Sequence, residues 1–154
     1  MINRESELGE VKEKLRNFYF KITDPTEFEK WVYQHESLEG ILGHELYLKL
    51  VSVDFSRCKF PKAAADVICV AYEQRLNGDL FRDRVRDVLV GMLEGTVSLR
   101  DGCQELWKYQ LEGQRFIPIV FAGYATELEN AEHESFYRDR VLVDARDLLE
   151  KLST

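Results

Sequence analysis

The sequence lacks every residue pattern that would indicate a familiar catalytic or cofactor site by its spacing. It contains no GxSxG nucleophile elbow, no P-loop and no GxGxxG turn, so serine hydrolase and nucleotide-binding sites are not indicated. Its three cysteines form no CxxC pair, and the longest apolar run, residues 117–122, is far too short to cross a bilayer. We therefore expect no catalytic residue, no metal, no cofactor and no membrane segment.

Histidine is scarce as well, and its spacing excludes a zincin-type metal site. Three His-Glu dipeptides occur, at His35, His44 and His133. A zincin helix needs a second histidine four residues after the first, one turn further on, to share the metal. Those positions hold Glu39, Leu48 and Tyr137. We therefore expect three separate surface histidines.

Composition predicts a single domain spanning residues 1–154. Hydrophobic residues make up 45% of the chain and aromatic residues 12%, which is enough to bury a core without disulfides or metals. The odd number of cysteines and the charged first residues, without an apolar leader, indicate a reducing compartment. We expect a cytoplasmic protein in which Cys69 and Cys103, each on an apolar stripe, are buried.

Helical periodicity dominates the chain, so the predicted fold class is mostly α. Pro25 suits the first turn of a second helix, residues 80–93 repeat almost ideally for a helix, and Ser98 with Asp101 resembles a capping box. Two segments leave room for short strands. Residues 46–55 fit either a strand or a helix, and residues 116–121 read as an extended segment around Pro118. The alternative fold class is α+β.

Charge carries more information about function than any motif does. The chain has 28 acidic and 21 Lys or Arg residues, for a formal charge of −7. Acidic residues are dense just after Tyr124, at Glu127, Glu129, Glu132 and Glu134. Such a surface repels phosphates and makes direct nucleic-acid binding unfavourable, whereas it accelerates encounter with a basic protein. The simpler alternative is that the charge only keeps the domain soluble.

Two blocks of the sequence, together about half the chain, resemble a small family of bacterial immunity proteins. The first block contains FEKWVY (28–33), LEGILG (38–43) and LYLKLVSVDF (46–55). The second contains LRDGC (99–103) and, after Gly113, FIPIVFAGY (116–124). Proteins of this kind are the partners of polymorphic and contact-dependent growth inhibition toxins. The motifs are chiefly apolar, and no catalytic residue comes with the resemblance.

The resemblance implies a non-catalytic inhibitor that binds a cognate toxin domain, such as a nuclease. Carboxylates placed in a basic cleft would imitate the phosphates of the substrate. The expected contact residues are Tyr124, Glu127, Glu129, Glu132 and Glu134. Two other classes stay open: a regulatory or adaptor module that binds through an apolar groove, and a hydrolase that uses paired carboxylates.

Overall fold

The computed structural model describes residues 4–154, and within that range the chain forms nine α-helices and no strand. The mostly α fold class is confirmed. The helices are α1 (Arg4–Tyr19), α2 (Pro25–Gln34), α3 (Leu38–Leu42), α4 (His44–Val51), α5 (Lys62–Gln74), α6 (Leu80–Glu94), α7 (Leu99–Leu111), α8 (Val120–Glu127) and α9 (Glu134–Leu152). They fall into two compact units that divide after Leu80. That one domain spans residues 1–154 stays a prediction.

The first unit has an aromatic core built by α1 and α2. Phe18 on α1 stacks on Phe28 of α2 with ring centroids 4.0 Å apart, and Phe55 meets Phe18 edge-on at 5.8 Å. Pro25 occupies the first turn of α2, as the sequence predicts, because a missing N–H costs nothing there. Aromatic pairs in these geometries stabilise the packing beyond the area they bury.

Residues 46–55 form no strand, so that alternative is wrong. Most of the segment belongs to α4, and the rest turns back towards α5. Leu50 is fully buried, and Gly43, at φ +87°, supplies the left-handed residue that lets α3 end and α4 begin at once. Helical packing of one apolar face thus prevails over the β-propensity of its Tyr and Val residues.

Helix α5 carries a buried face of small and aliphatic residues. Ala64, Ile68 and Ala71 are buried, and the hydroxyl of buried Tyr72 accepts a hydrogen bond of 2.9 Å from Arg16 on α1. Cys69 lies beside this face and is exposed, so the expectation that it is buried is wrong. Cys103 on α7 is fully buried, as expected, and burial raises the pKa of its thiol to about 12.

The second unit contains α6 to α9, and its first two helices begin and end close to where the sequence predicts. The Ser98 hydroxyl accepts the Asp101 N–H at 3.1 Å and caps α7. Gly102 lets α7 approach α6 closely, since an added Cβ would clash with the Met92 sulfur. Arg84 on α6 donates two bonds to Glu105 on α7, at 2.6 and 2.9 Å.

Residues 116–121 are not an extended segment, which corrects the second candidate strand. The chain turns at residues 115–117, and α8 begins at Val120. The Phe121 N–H donates to the Pro118 carbonyl at 3.3 Å, so Pro118 lies in the turn that leads into α8. Proline suits such a turn because its ring fixes φ near the value that the turn needs.

Candidate protein-binding surface

The four predicted glutamates lie in, and at the two ends of, the short connection between α8 and α9. Glu127 ends α8, Glu134 begins α9, and a 3₁₀ turn, Ala131–His133, lies between them. Asn130 caps this turn by accepting the Glu132 N–H at 3.0 Å through its side chain. Leu128, almost fully buried, anchors the connection in the core. The backbone is therefore held by hydrogen bonds while the carboxylates point outward.

The structure exposes the glutamates and buries the tyrosine predicted to join them. Glu129, Glu132 and Glu134 are exposed and Glu127 is partly exposed. We call these four side chains the acidic surface. Tyr124 is only 7% exposed, so the expectation that its side chain is exposed is wrong, while its role as a contact residue stays a prediction. The reason is helical spacing: Tyr124 shares the buried face of α8 with Phe121 and Leu128.

Tyr124 instead joins α8 to α9, the two helices on either side of the acidic connection. Its hydroxyl donates a short hydrogen bond to Asp144 on α9, and its ring meets that of Tyr137 with centroids 6.2 Å apart. Burial raises the pKa of Tyr124 to about 12, and the bond to Asp144 acts in the same direction. These contacts fix α8 against α9 at the two ends of the acidic connection.

His133 is the basic side chain closest to these glutamates along the chain, and it is paired with one of them. Its Nδ1 lies 3.1 Å from a carboxylate oxygen of Glu127, and its ring lies beside Tyr137 at 6.3 Å. The pair joins the end of α8 to the 3₁₀ turn. Exposed pairs of this kind contribute little to stability, so its main effect is to orient Glu127.

An exposed aromatic residue next to the acidic surface was missed by the sequence reasoning. Phe136, in the first turn of α9, is 67% exposed, and the Arg140 guanidinium lies 5.5 Å from its ring centroid. Val143, seven residues further along the same face, is also exposed. The sequence does contain a signal for this exposure: Phe136 lies one position before Tyr137, where the apolar stripe of α9 begins, and so is not part of that stripe.

The other two histidines also lie beside glutamates. His44 lies 2.7 Å from Glu39 and His35 lies 3.8 Å from Glu7, so each histidine has a glutamate neighbour. His35, which directly follows α2, is partly buried, which corrects its expected place on the surface. Residues 4–154 contain no group of three or more His, Cys, Asp or Glu side chains placed to hold a metal ion. In the same range, no helix combines the length and apolar character needed to cross a bilayer.

The first unit presents a different surface between α4 and α5. A groove of about 510 Å³ is lined mainly by apolar side chains, with Lys49 and Asp66 on its opposite walls. Leu48 and Val70 along it are 46% and 38% exposed. We call this the α4–α5 groove. An apolar groove of this kind is what the adaptor alternative requires.

Comparison with protein-family models, with curated proteins and with solved structures found no match to the chain. The resemblance to immunity proteins therefore stays a prediction.

Proposed function

We propose that this protein is a non-catalytic, cytoplasmic immunity protein that binds and neutralises a basic bacterial toxin domain. The acidic surface, with Phe136 beside it, is the contact face. The proposal rests on the resemblance and on one structural observation: a 67% exposed phenylalanine lies in the first turn of α9, close along the chain to the four glutamates of the acidic surface.

This arrangement combines the two requirements of a selective inhibitor. A protruding aromatic ring can enter a pocket and lose its water there, and such anchors carry most of the binding energy in protein interfaces. The surrounding carboxylates attract a basic partner from a distance and align it during encounter. In a nuclease the same carboxylates would occupy the positions of the substrate phosphates. Inhibition then needs no chemistry from this chain.

The direct test is co-expression with the protein encoded by the gene adjacent to its own, since an immunity gene normally lies beside its toxin gene. We expect that protein to stop growth when expressed alone and this chain to restore growth. The double variant Glu129→Lys with Glu132→Lys should fail to restore growth because it replaces attraction with repulsion.

A matched control separates the acidic surface from net charge. Glu13→Lys with Glu36→Lys changes two exposed glutamates of the first unit and alters the net charge by the same amount. This variant should protect like the wild type. Equal loss of protection in both double variants would show that overall charge, and not this surface, matters. An adjacent protein that is harmless when expressed alone would contradict the proposal.

The second candidate function is an adaptor that binds a helix of another protein. The observation in its favour is the α4–α5 groove. The two functions are distinguished by location, since Val70→Asp would abolish an adaptor function and leave toxin neutralisation intact.

A further inference from the structure

We propose that Arg140 binds a carboxylate of the partner protein, beside the pocket that receives Phe136. This inference rests on the proposed function and deepens it, because it states which chemistry the partner must present at that point. Three observations carry it: the place of Arg140 on α9, its contact with Phe136, and its lack of an anionic partner among residues 4–154.

Arg140 lies in an exposed row of side chains on α9. Phe136, Arg140 and Val143 follow one another at spacings of four and three residues, so they share one face of the helix. All three are exposed, whereas Val141 and Ala145 on the opposite face are buried. Aromatic residues and arginine are the types most enriched at the centre of protein interfaces. The row therefore places Arg140 inside the proposed contact face.

The Phe136 ring holds the Arg140 guanidinium on this face. The guanidinium lies 5.5 Å from the ring centroid, within the range of a cation–π contact. A phenylalanine ring carries no charged acceptor, so this contact leaves the five N–H donors of the guanidinium without an anion. Arg140 is thus oriented before any partner arrives and still has donors to offer.

No carboxylate within residues 4–154 pairs with Arg140, and its guanidinium donates no hydrogen bond there. Asp144 follows one turn later on α9, but its carboxylate accepts the short bond from the Tyr124 hydroxyl. An arginine four residues before an acidic residue is also the less favourable order for a pair along a helix. By contrast, Arg84 in the same unit is paired with Glu105 at 2.6 Å.

These observations define what the partner must provide. If a basic partner placed a Lys or Arg against Arg140, the two like charges would weaken the complex. Covering the guanidinium without supplying an anion would also be costly, because a buried charge needs a partner. A carboxylate avoids both costs and accepts two parallel N–H donors from the planar group. The partner is therefore a basic domain with an Asp or Glu beside its Phe136 pocket.

The direction of one mutational effect tests this inference. Arg140→Met keeps an unbranched side chain and removes the positive charge, so the chain becomes more acidic. Charge attraction alone predicts that this variant binds a basic partner more tightly, whereas loss of an arginine–carboxylate pair predicts a Kd raised at least about tenfold. Calorimetric titration into the purified protein encoded by the adjacent gene measures the Kd, and circular dichroism checks that the variant is folded.

Two further variants separate the pair from net charge. Arg115→Met removes the same charge from an exposed arginine between α7 and α8, so it should bind as tightly as the wild type or more tightly. Arg140→Lys keeps the charge but lacks the planar fork of donors. It should recover only part of the affinity that Arg140→Met loses.

A double-mutant cycle identifies the partner's carboxylate. Each Asp and Glu of the adjacent gene's protein is changed in turn to Asn or Gln and titrated with the wild type and with Arg140→Met. One of these changes should weaken binding to the wild type at least about tenfold and have little further effect on binding to Arg140→Met, since the pair is already broken there.

The outcomes distinguish this inference from the proposed function. Suppose that the wild type binds and that Glu129→Lys with Glu132→Lys weakens the complex. Unchanged or tighter binding of Arg140→Met, or a cycle in which no partner carboxylate is coupled to Arg140, would then overturn this inference alone. Absence of any complex with the wild type would overturn both.

Discussion

The acidic surface and the α4–α5 groove both expose apolar side chains, but they differ in how charge is balanced around them. Around the groove, charges of both signs are present, with Lys49 on α4 and Asp66 on α5. Near Phe136, the four glutamates of the acidic surface lie close by along the chain, His133 pairs with Glu127, and the Arg140 guanidinium lies 5.5 Å from the phenylalanine ring. An exposed apolar patch alone does not indicate which kind of partner binds it, whereas the signs of the charges around the patch do.

The difference suggests two separate kinds of recognition in one chain. A face that carries charges of both signs favours a partner of neither sign. A face with an excess of carboxylates favours a basic partner. The comparison can be tested by changing one surface and measuring the function of the other.

Removing the anchor of the acidic surface should have the largest effect. Phe136→Ala should reduce affinity for the adjacent gene's protein by about 3 kcal/mol, because a buried aromatic anchor carries a large share of interface energy. Isothermal titration calorimetry measures this loss. Leu111→Ala, which removes another exposed apolar side chain of the second unit, is the control and should bind normally. Equal affinity of the two variants would show that Phe136 does not lie in the interface.

Alkaline pH should lower the free energy of unfolding of the second unit, which carries the acidic surface. Burial raises the pKa of Tyr109 and of Tyr124 to about 12 from an ordinary value of 10.0. Between pH 10 and pH 12 the unfolded chain loses these protons while the folded chain keeps them, so stability falls as pH rises. Each tyrosine should account for about 2 kcal/mol of this loss in the free energy of unfolding.

Urea denaturation at a series of pH values measures this slope. In the double variant Tyr109→Phe with Tyr124→Phe, neither tyrosine can titrate, so the free energy of unfolding should fall less steeply between pH 10 and pH 12. It will also be less stable at neutral pH, because Asp144 and Glu105 each lose a hydrogen bond. A variant that keeps the wild-type slope would show that these tyrosines do not cause it.

Loss of the α7 cap should cost less and should not affect binding. Ser98→Ala removes the acceptor of the Asp101 N–H and should lower the free energy of unfolding by about 1 kcal/mol. Ser98→Asp keeps an acceptor at this position and should restore most of that stability. Thermal unfolding compares the three proteins. A melting temperature unchanged by Ser98→Ala would show that the cap contributes nothing.

The smallest expected effect is the one that separates the two surfaces. Val70→Asp, which disrupts the α4–α5 groove, should leave toxin neutralisation unchanged, because the acidic surface lies in the other unit. Co-expression with the adjacent gene's protein measures this. Loss of protection in this variant, with its fold intact, would show that the α4–α5 groove takes part in neutralisation.

The sequence predicted the helices well wherever apolar periodicity and end signals agree. Pro25 begins α2, Ser98 caps α7, and the repeat in residues 80–93 matches α6 closely. Predictions failed where local propensity and packing conflict. Residues 46–55 are rich in β-formers and residues 116–121 contain Pro118, yet residues 46–51 lie in α4 and residues 120–121 begin α8.

The candidate site was predictable only in part. Exposure of Glu129, Glu132 and Glu134 follows from their charge, since burial of an unpaired carboxylate is costly. Burial of Tyr124 was visible only after α8 was known to be a helix. The set of residues that line the α4–α5 groove depends on which helices pack together and in which direction, and short-range sequence patterns contain no such information.

The most direct test of the central claim is a calorimetric titration of this chain into the purified protein encoded by the adjacent gene, at low and at high salt. The account predicts a one-to-one complex that weakens as salt rises and is lost in the variant Glu129→Lys with Glu132→Lys. A complex of unchanged affinity in that variant, or one insensitive to salt, would contradict the assignment of the acidic surface as the contact face.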